Sequence, residues 1–192
     1  IGQASDARCI ASLSGIILPG GPLFIADSHV NENPSVDELT EITMMAAGKL
    51  GRFGIEPKIA LVSHSNFGTR DSETALKMRE VLARVRALDP NLEIEGEMHA
   101  DAAISTFIRE DNFPNSRLTG RANLLIMPTL DAAHISYTLL RSVNRAVAIG
   151  PMLLGTAFPA HIVTTSATVR TILNMSAISV VQAAHDDIEH HG

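Results

Sequence analysis

Residues 116–155, SRLTGRANLLIMPTLDAAHISYTLLRSVNRAVAIGPMLLG, place a strand, a strand-to-helix corner and a second corner within one short span. Positions 122–127 read as an apolar run of strand length that Pro128 stops. Thr129-Leu130-Asp131 then offers capping oxygens before Ile135, Leu139 and Leu140 take up a helical spacing. The corner therefore falls at the carboxyl end of a strand, where parallel sheets bind ligands and helix N-termini present unpaired N–H groups.

On either side the same alternation continues. Positions 9–18 and 22–26 are two short apolar runs joined by Pro19-Gly20-Gly21, which predicts a hairpin. After Asn33-Pro34, Ser35 and Glu38 form a capping box, and Val36, Leu39, Ile42, Leu50 and Phe53 carry a helical face up to Gly54. Positions 58–63 (KIALVS) read as a strand. Asp71 or Ser72 caps a helix through Leu76, Val81, Leu82, Val85 and Leu88, which Pro90 ends. Positions 92–98 are strand-like, 101–108 a short helix, and 110–120 a polar loop. Beyond the opening stretch, 145–149 gives another strand, Gly150-Pro151 a corner, 161–164 a last strand and 168–184 a final helix. Helices alternating with short strands predict an α/β fold with a mostly parallel sheet and helices on both faces.

The 192 residues suffice for one sizeable domain, and 45% hydrophobic against 4% aromatic content implies a core of aliphatic side chains and Met. Fifteen Lys plus Arg against 21 Asp plus Glu leave a net charge of −6, with no basic cluster to track a nucleic-acid backbone, so nucleic acid is excluded as a partner. The single cysteine, Cys9, has no neighbour at metal or disulfide spacing, reads as a small buried hydrophobe, and suits a cytoplasmic location. No signal peptide is read at Ile1. The most apolar segment, 172–184, is interrupted by Asn174, Ser176, Ser179 and Gln182 and falls short of a membrane span.

Several blocks together resemble the phosphate acetyltransferase and phosphate butyryltransferase family: DSHVNENPSVDELTEI, RFGIEPKIALVSHSNFGT, LEIEGEMHADAA, the opening stretch and IVTTSATVRTILNMSA. They run in order from Phe24 to Ala184. The likeness is nearest to the transacetylase-like domain that ends bacterial NADP-dependent malic enzymes. It implies a three-layer α/β/α sandwich like those of phosphotransacetylases and of isocitrate and isopropylmalate dehydrogenases. It also implies that residues 1–192 are the C-terminal part of such a domain, since transacetylases have an additional N-terminal α/β half that completes the cleft.

The resemblance bears most on Thr164-Thr165-Ser166-Ala167-Thr168, a hydroxyl-rich corner before the final helix that could hold a phosphate or thioester oxygen. Transacetylases carry Ser-Arg-Gly here and an Asp two helical turns after the Ser, groups implied to position and deprotonate the coenzyme A thiol and to stabilise charge. Thr164, Thr165, Ser166 and Thr171 stand in their places. A thiol with a pKa of about 8.5 needs a carboxylate or imidazole base, and losing such a base costs about 10²- to 10⁴-fold. No catalytic residue is therefore expected.

An acyl-CoA site, if present, is expected along the corners that follow strands: Ser63, Ser65 and Asn66; Thr129 and Asp131; Gly150 and Pro151; Thr164, Thr165 and Ser166, with Thr171 beside them. SHSNFGT lacks the phosphate-loop pattern. Glu95, Glu97 and Asp101 around His99 read as solvated or capping groups rather than a metal site, and His134 as a partner of Asp131 within one helix. His185, His190 and His191 lie in an acidic tail, 185–192, expected to fray.

Three functions stay open. The first is a catalytically silent regulatory and oligomerisation domain of an NADP-dependent malic enzyme, with acetyl-CoA as allosteric effector. The second is an active phosphate acetyl- or butyryltransferase, and the third a ligand-free oligomerisation module. No cofactor or metal is expected in this segment; NADP and a divalent metal belong to the parent's other domain. The expected partner is a second copy, as a homodimer or higher homo-oligomer.

Overall fold

The computed structural model describes residues 1–163 and 167–190, with side chains described as far as residue 183. The expected hairpin forms as β1 (Ala11–Leu18) and β2 (Gly21–Ala26), closed by the pairing of Leu18 with Gly21. Helix α1 (Val36–Arg52) begins at the capping box: Ser35 accepts from the Glu38 amide, and the Glu38 carboxylate accepts from Ser35 N–H. Its Leu39, Ile42 and Leu50 are fully buried, each contributing about 1.5–3 kcal/mol of apolar transfer. There follow β3 (Lys58–Val62), α2 (Glu73–Leu88), β4 (Glu93–Met98), α3 (Ala100–Ile104), α4 (Thr106–Asn112), β5 (Leu124–Ile126), α5 (Leu130–Asn144), β6 (Val147–Leu154) and α6 (Val169–His190).

Among the described residues, six strands make one sheet in the order β4-β3-β5-β2-β1-β6, in which β1 alone runs antiparallel to its neighbours. Alternate residues feed two cores. Phe24, Ala26, Ile59, Leu61, Leu124 and Ile126 meet α1, α2 and Met175 of α6 on one face. Leu23, Ile25, Ala60, Val62 and Leu125 meet α3 and α5 on the other. The fold is thus the expected α/β sandwich, and the carboxyl ends of β2, β3, β4 and β5 share one edge.

Several expectations are corrected. Gly150-Pro151 is not a corner but lies inside β6, where the ladder with β1 shifts register between Leu13 and Gly15. Gly150 has φ +90°, and a Cβ there would stand 2.7 Å from the Leu13 carbonyl oxygen, so glycine lets the strand carry this irregularity and continue. The corner falls at Gly155 instead. No strand forms at His161: the chain turns back along β6 with one bridge, Met152 to His161, flanked by bonds between Leu153 and Ala160 and between Ile162 and Pro151.

The short helix at 101–108 is two helices, because Ser105 ends α3 and caps α4 through the Ile108 amide. Strand β5 starts later than the apolar run, since the Asn123 side chain is engaged by Lys58 N–H and the Glu56 carbonyl. On α5 the core face is Ala133 and Tyr137, leaving Ile135 and Leu139 exposed; on α2, Leu76 and Leu88 are likewise outside. Helix α6 runs past residue 184 to His190. Among the described residues no helix is long and apolar enough to cross a membrane.

Candidate functional site

Among the described residues, loops leave the shared carboxyl edge after β2, β3, β4 and β5, and buried polar groups, Asp27 and the Ser65–Glu97 pair, fix the first two. After β2, Asp27 is buried and its Oδ1 accepts from the Ser12 amide at 2.9 Å and from the Ser12 hydroxyl. Its Oδ2 accepts from the Asn31 amide at 2.9 Å and the Asn31 side chain at 2.6 Å, and the amides of His29 and Val30 point at Oδ1. One carboxylate thereby folds residues 27–31 into a tight loop. Ser28 lies inside it, its hydroxyl 2.7 Å from that of Ser14 and 2.8 Å from Nδ1 of His29.

The loop after β3 carries Ser63, Ser65 and Asn66. Ser65 is fully buried, and its hydroxyl donates to Glu97 and accepts from the Arg70 amide, so it shapes the loop instead of facing solvent. Ser63 accepts from the Ser65 amide at 3.2 Å. Asn66 accepts from the His99 amide at 2.6 Å, joining this loop to the one that leaves β4. Phe67 contacts the ring of Phe113, and a cavity of about 290 Å³ opens between them, Glu95 and Pro114, on the β4 side of the edge.

Glu95 and Glu97 are corrected from solvated groups to buried ones. Glu95 pairs with Arg86 at 2.8 Å and accepts from the Arg117 amide; Glu97 pairs with Arg79 at 3.1 Å. Burial pushes the Glu97 pKa up, but Ser65, the Gly68 amide and Arg79 outweigh it and hold the group below the usual carboxylate range. Among the described residues no group of three or more His, Cys, Asp or Glu is placed to hold a metal ion.

After β5, Thr129 caps α5 through the Ala132 amide and Asp131 stands exposed in the first turn. His134 does not pair with Asp131: its Nδ1 lies 3.0 Å from the Ser28 carbonyl oxygen, which binds α5 to the loop after β2. Lys77 of α2 makes a comparable tie, donating to Asn33, to the Pro34 carbonyl and to the Pro128 carbonyl. Sequence reasoning missed both ties and the Asp27 loop. An acidic residue directly after an apolar run, followed by Asn four positions on, was the available signal.

Of the eleven expected site residues, Ser63, Ser65, Asn66, Thr129 and Asp131 thus come to one edge. Gly150 and Pro151 do not line a corner there, and Thr164, Thr165 and Ser166 lie outside the described residues. Thr171 is in the first turn of α6, where its amide donates to the Thr168 hydroxyl at 3.2 Å and the two hydroxyls are 3.0 Å apart. Neither hydroxyl can act as a base near neutral pH.

The family model for phosphate acetyl/butaryl transferase matches residues 1–180. The chain is 50% identical over 183 residues to an NADP-dependent malic enzyme of Salmonella typhimurium, covering 95% of this chain and 24% of that protein. It is 35% identical to a phosphate acetyltransferase of Paracoccus denitrificans, covering 95% of this chain and 59% of that protein. A phosphotransacetylase structure from Streptococcus pyogenes superposes with a TM-score of 0.89 at 26% identity, over 95% of this chain and 56% of that one. The chain therefore spans about a quarter of the malic enzyme and little more than half of the transacetylases.

Proposed function

The chain belongs to the phosphate acetyl/butaryl transferase family, and from that premise we propose that it is the regulatory and assembly domain of a malic enzyme rather than a working acyltransferase. Such a parent converts malate to pyruvate and carbon dioxide with NADP and a divalent metal held by its other domain. Here the domain binds acetyl-CoA as an effector and carries out no acyl transfer of its own.

The observation that carries the silence is Thr171. A hydroxyl engaged with Thr168 stands where the family's acyl chemistry calls for a carboxylate. The malic-enzyme reading is supported by the 50% identity to such an enzyme against 35% to a transacetylase over the same share of the chain. Acetyl-CoA is read as lying along the loops of Ser63, Asn66, Thr129 and Asp131. A thermal-shift titration tests this: at 100 times its dissociation constant, acetyl-CoA adds roughly 2.7 kcal/mol of stability. No shift at saturating acetyl-CoA would leave assembly alone as the domain's role.

Assembly has its own support. Val169, Ile172, Leu173, Val180 and Val181 of α6 are exposed, while Met175 is buried. A helix apolar on most sides is covered by more than one layer, and a second copy supplies the missing layer in a homodimer.

A further inference from the structure

Among the described residues, five buried side-chain polar atoms have no hydrogen-bond partner, and two of them, Nδ1 and Nε2, belong to the one ring of His161. A neutral imidazole has one N–H donor and one acceptor nitrogen, so both roles go unanswered there. His161 lies in the return segment, residues 155–163, where the chain doubles back along β6 after Gly155. Backbone bonds from the Leu153 amide to the Ala160 carbonyl and from the Ile162 amide to the Pro151 carbonyl, each 3.0 Å, hold the segment to that strand. Its apolar anchoring is slight: Ala160 is buried, whereas Phe158 and Val163 are exposed, and none of residues 155–163 belongs to either core. Little buried apolar surface and few backbone bonds mark a unit that opens locally, at lower cost than the cores.

The surroundings oppose a charge on the ring. β6 and the rest of the return segment contain no ionisable side chain. Of the ionisable residues of α1, Asp37, Glu38, Glu41, Lys49 and Arg52, it is Lys49, itself buried, whose positive charge acts on His161. Arg170 of α6 is exposed, and Cys9, beside Gly155, is uncharged near neutral pH with its thiol pushed up to about 11. Burial first, and then Lys49, hold the His161 pKa below the ordinary imidazole value of 6.5. The second N–H that protonation adds meets no acceptor in the docked position. Water supplies one.

We propose that His161 is a proton-operated latch on the return segment: neutral, its ring stays docked and the segment is closed; protonated, the ring leaves for water and residues 155–163 detach from β6. Detachment bares the outer edge of β6, a terminal strand of the sheet, and frees the chain that leads on to α6. The open segment, with His161 in water, takes up a proton more readily than the closed one. Closure is therefore at full strength above pH 6.5 and is lost as pH falls from 6.5 toward the lower value of the closed state. The latch rests on neither the acyl-CoA nor the malic-enzyme reading, which are carried by other residues.

Amide hydrogen exchange of the 192-residue chain reads the opening, once rates are divided by those of the unfolded chain at the same pH. From pH 7.5 to pH 5.5, protection of the Leu153 and Ile162 amides is expected to fall several-fold, at most about tenfold. The amides of Leu61 and Ile126, fully buried in the middle of the sheet, keep theirs. His161→Gln cannot be protonated and His161→Phe puts an apolar ring in the same place; each removes the dependence on pH, and one folded variant of the two is enough for the comparison. Equal protection at the two pH values in the unmodified chain, a pH dependence that survives in a folded variant, or a parallel loss at Leu61 and Ile126 overturns the proposal.

Discussion

Ser65 donates its hydroxyl to Glu97 at 2.5 Å, so a carboxylate at the end of β4 closes the loop that leaves β3. The Gly68 amide at 3.0 Å and Arg79 Nε at 3.1 Å complete its partners. Because Glu97 ionises below its ordinary 4.5, the folded state holds its proton less readily than the unfolded chain. The stability it contributes is therefore present above that value and lost as pH falls through the lower folded pKa. Glu97→Gln is expected to cost about 1–3 kcal/mol at neutral pH, with the difference shrinking as pH drops toward 3. Urea denaturation at the two pH values measures this; an equal difference at both would show that Glu97 is not charged in the fold.

Cys9 is expected to be inert. Burial first, then Glu41, Glu38 and Asp27, push its thiol up to about 11, leaving almost no thiolate near pH 7. Ellman's reagent should react with the native protein at a small fraction of the rate seen in denaturant. Fast labelling of folded protein would place the thiol at the surface.

Acetyl transfer from acetyl phosphate to coenzyme A should be undetectable, for want of a base at Thr171. A thiol-release assay checks this. Turnover of about 1 to 10³ s⁻¹, the ordinary enzyme range, would restore the acyltransferase reading.

Light scattering should find a homodimer. Leu173→Asp and Val180→Asp charge an exposed part of α6 and are expected to dissociate it while circular dichroism stays unchanged. Ile178 is the wrong probe, because it packs against the core that holds Met175. A monomer at micromolar concentration in the unmodified protein would remove α6 as a seam.

Gly155→Ala tests the corner after β6. Its φ is +73°, and a Cβ would come 2.2 Å from the Cys9 carbonyl oxygen, with Ala7 and Met45 each at 3.3 Å. Strain and overpacking together should cost roughly 2–4 kcal/mol, read as a lowered denaturant midpoint. A neutral effect would mean that the Cys9 backbone yields.

What the sequence disclosed was what neighbours in sequence decide. The Ser35–Glu38 box, the hairpin at Gly20-Gly21 and the Thr129 cap rest on bonds spanning few residues, and they were read directly. Gly150-Pro151 has the local chemistry of a corner, but its neighbour Leu13 across the ladder makes it a strand irregularity. Glu95 and Glu97 looked solvated because Arg86, Arg79 and the Arg117 amide are remote in sequence. The Asp27 loop was hidden for the same reason, since Ser12 of β1 and the Ile10 carbonyl just before that strand reach it from far away in sequence.

The reversed strand β1 sets an order of events. β1 gains β2 as a neighbour through a hairpin, yet its other neighbour, β6, is joined by Leu13–Met152 and Ala11–Leu154, across most of the chain. During synthesis the strands from β1 to β5 can assemble while that edge stays bare. Only when β6 emerges is β1 enclosed, and loop-closure entropy makes so distant a pairing the slow one. A nascent chain halted before residue 147 would expose β1 as an open edge, a surface prone to recruit strands from other chains.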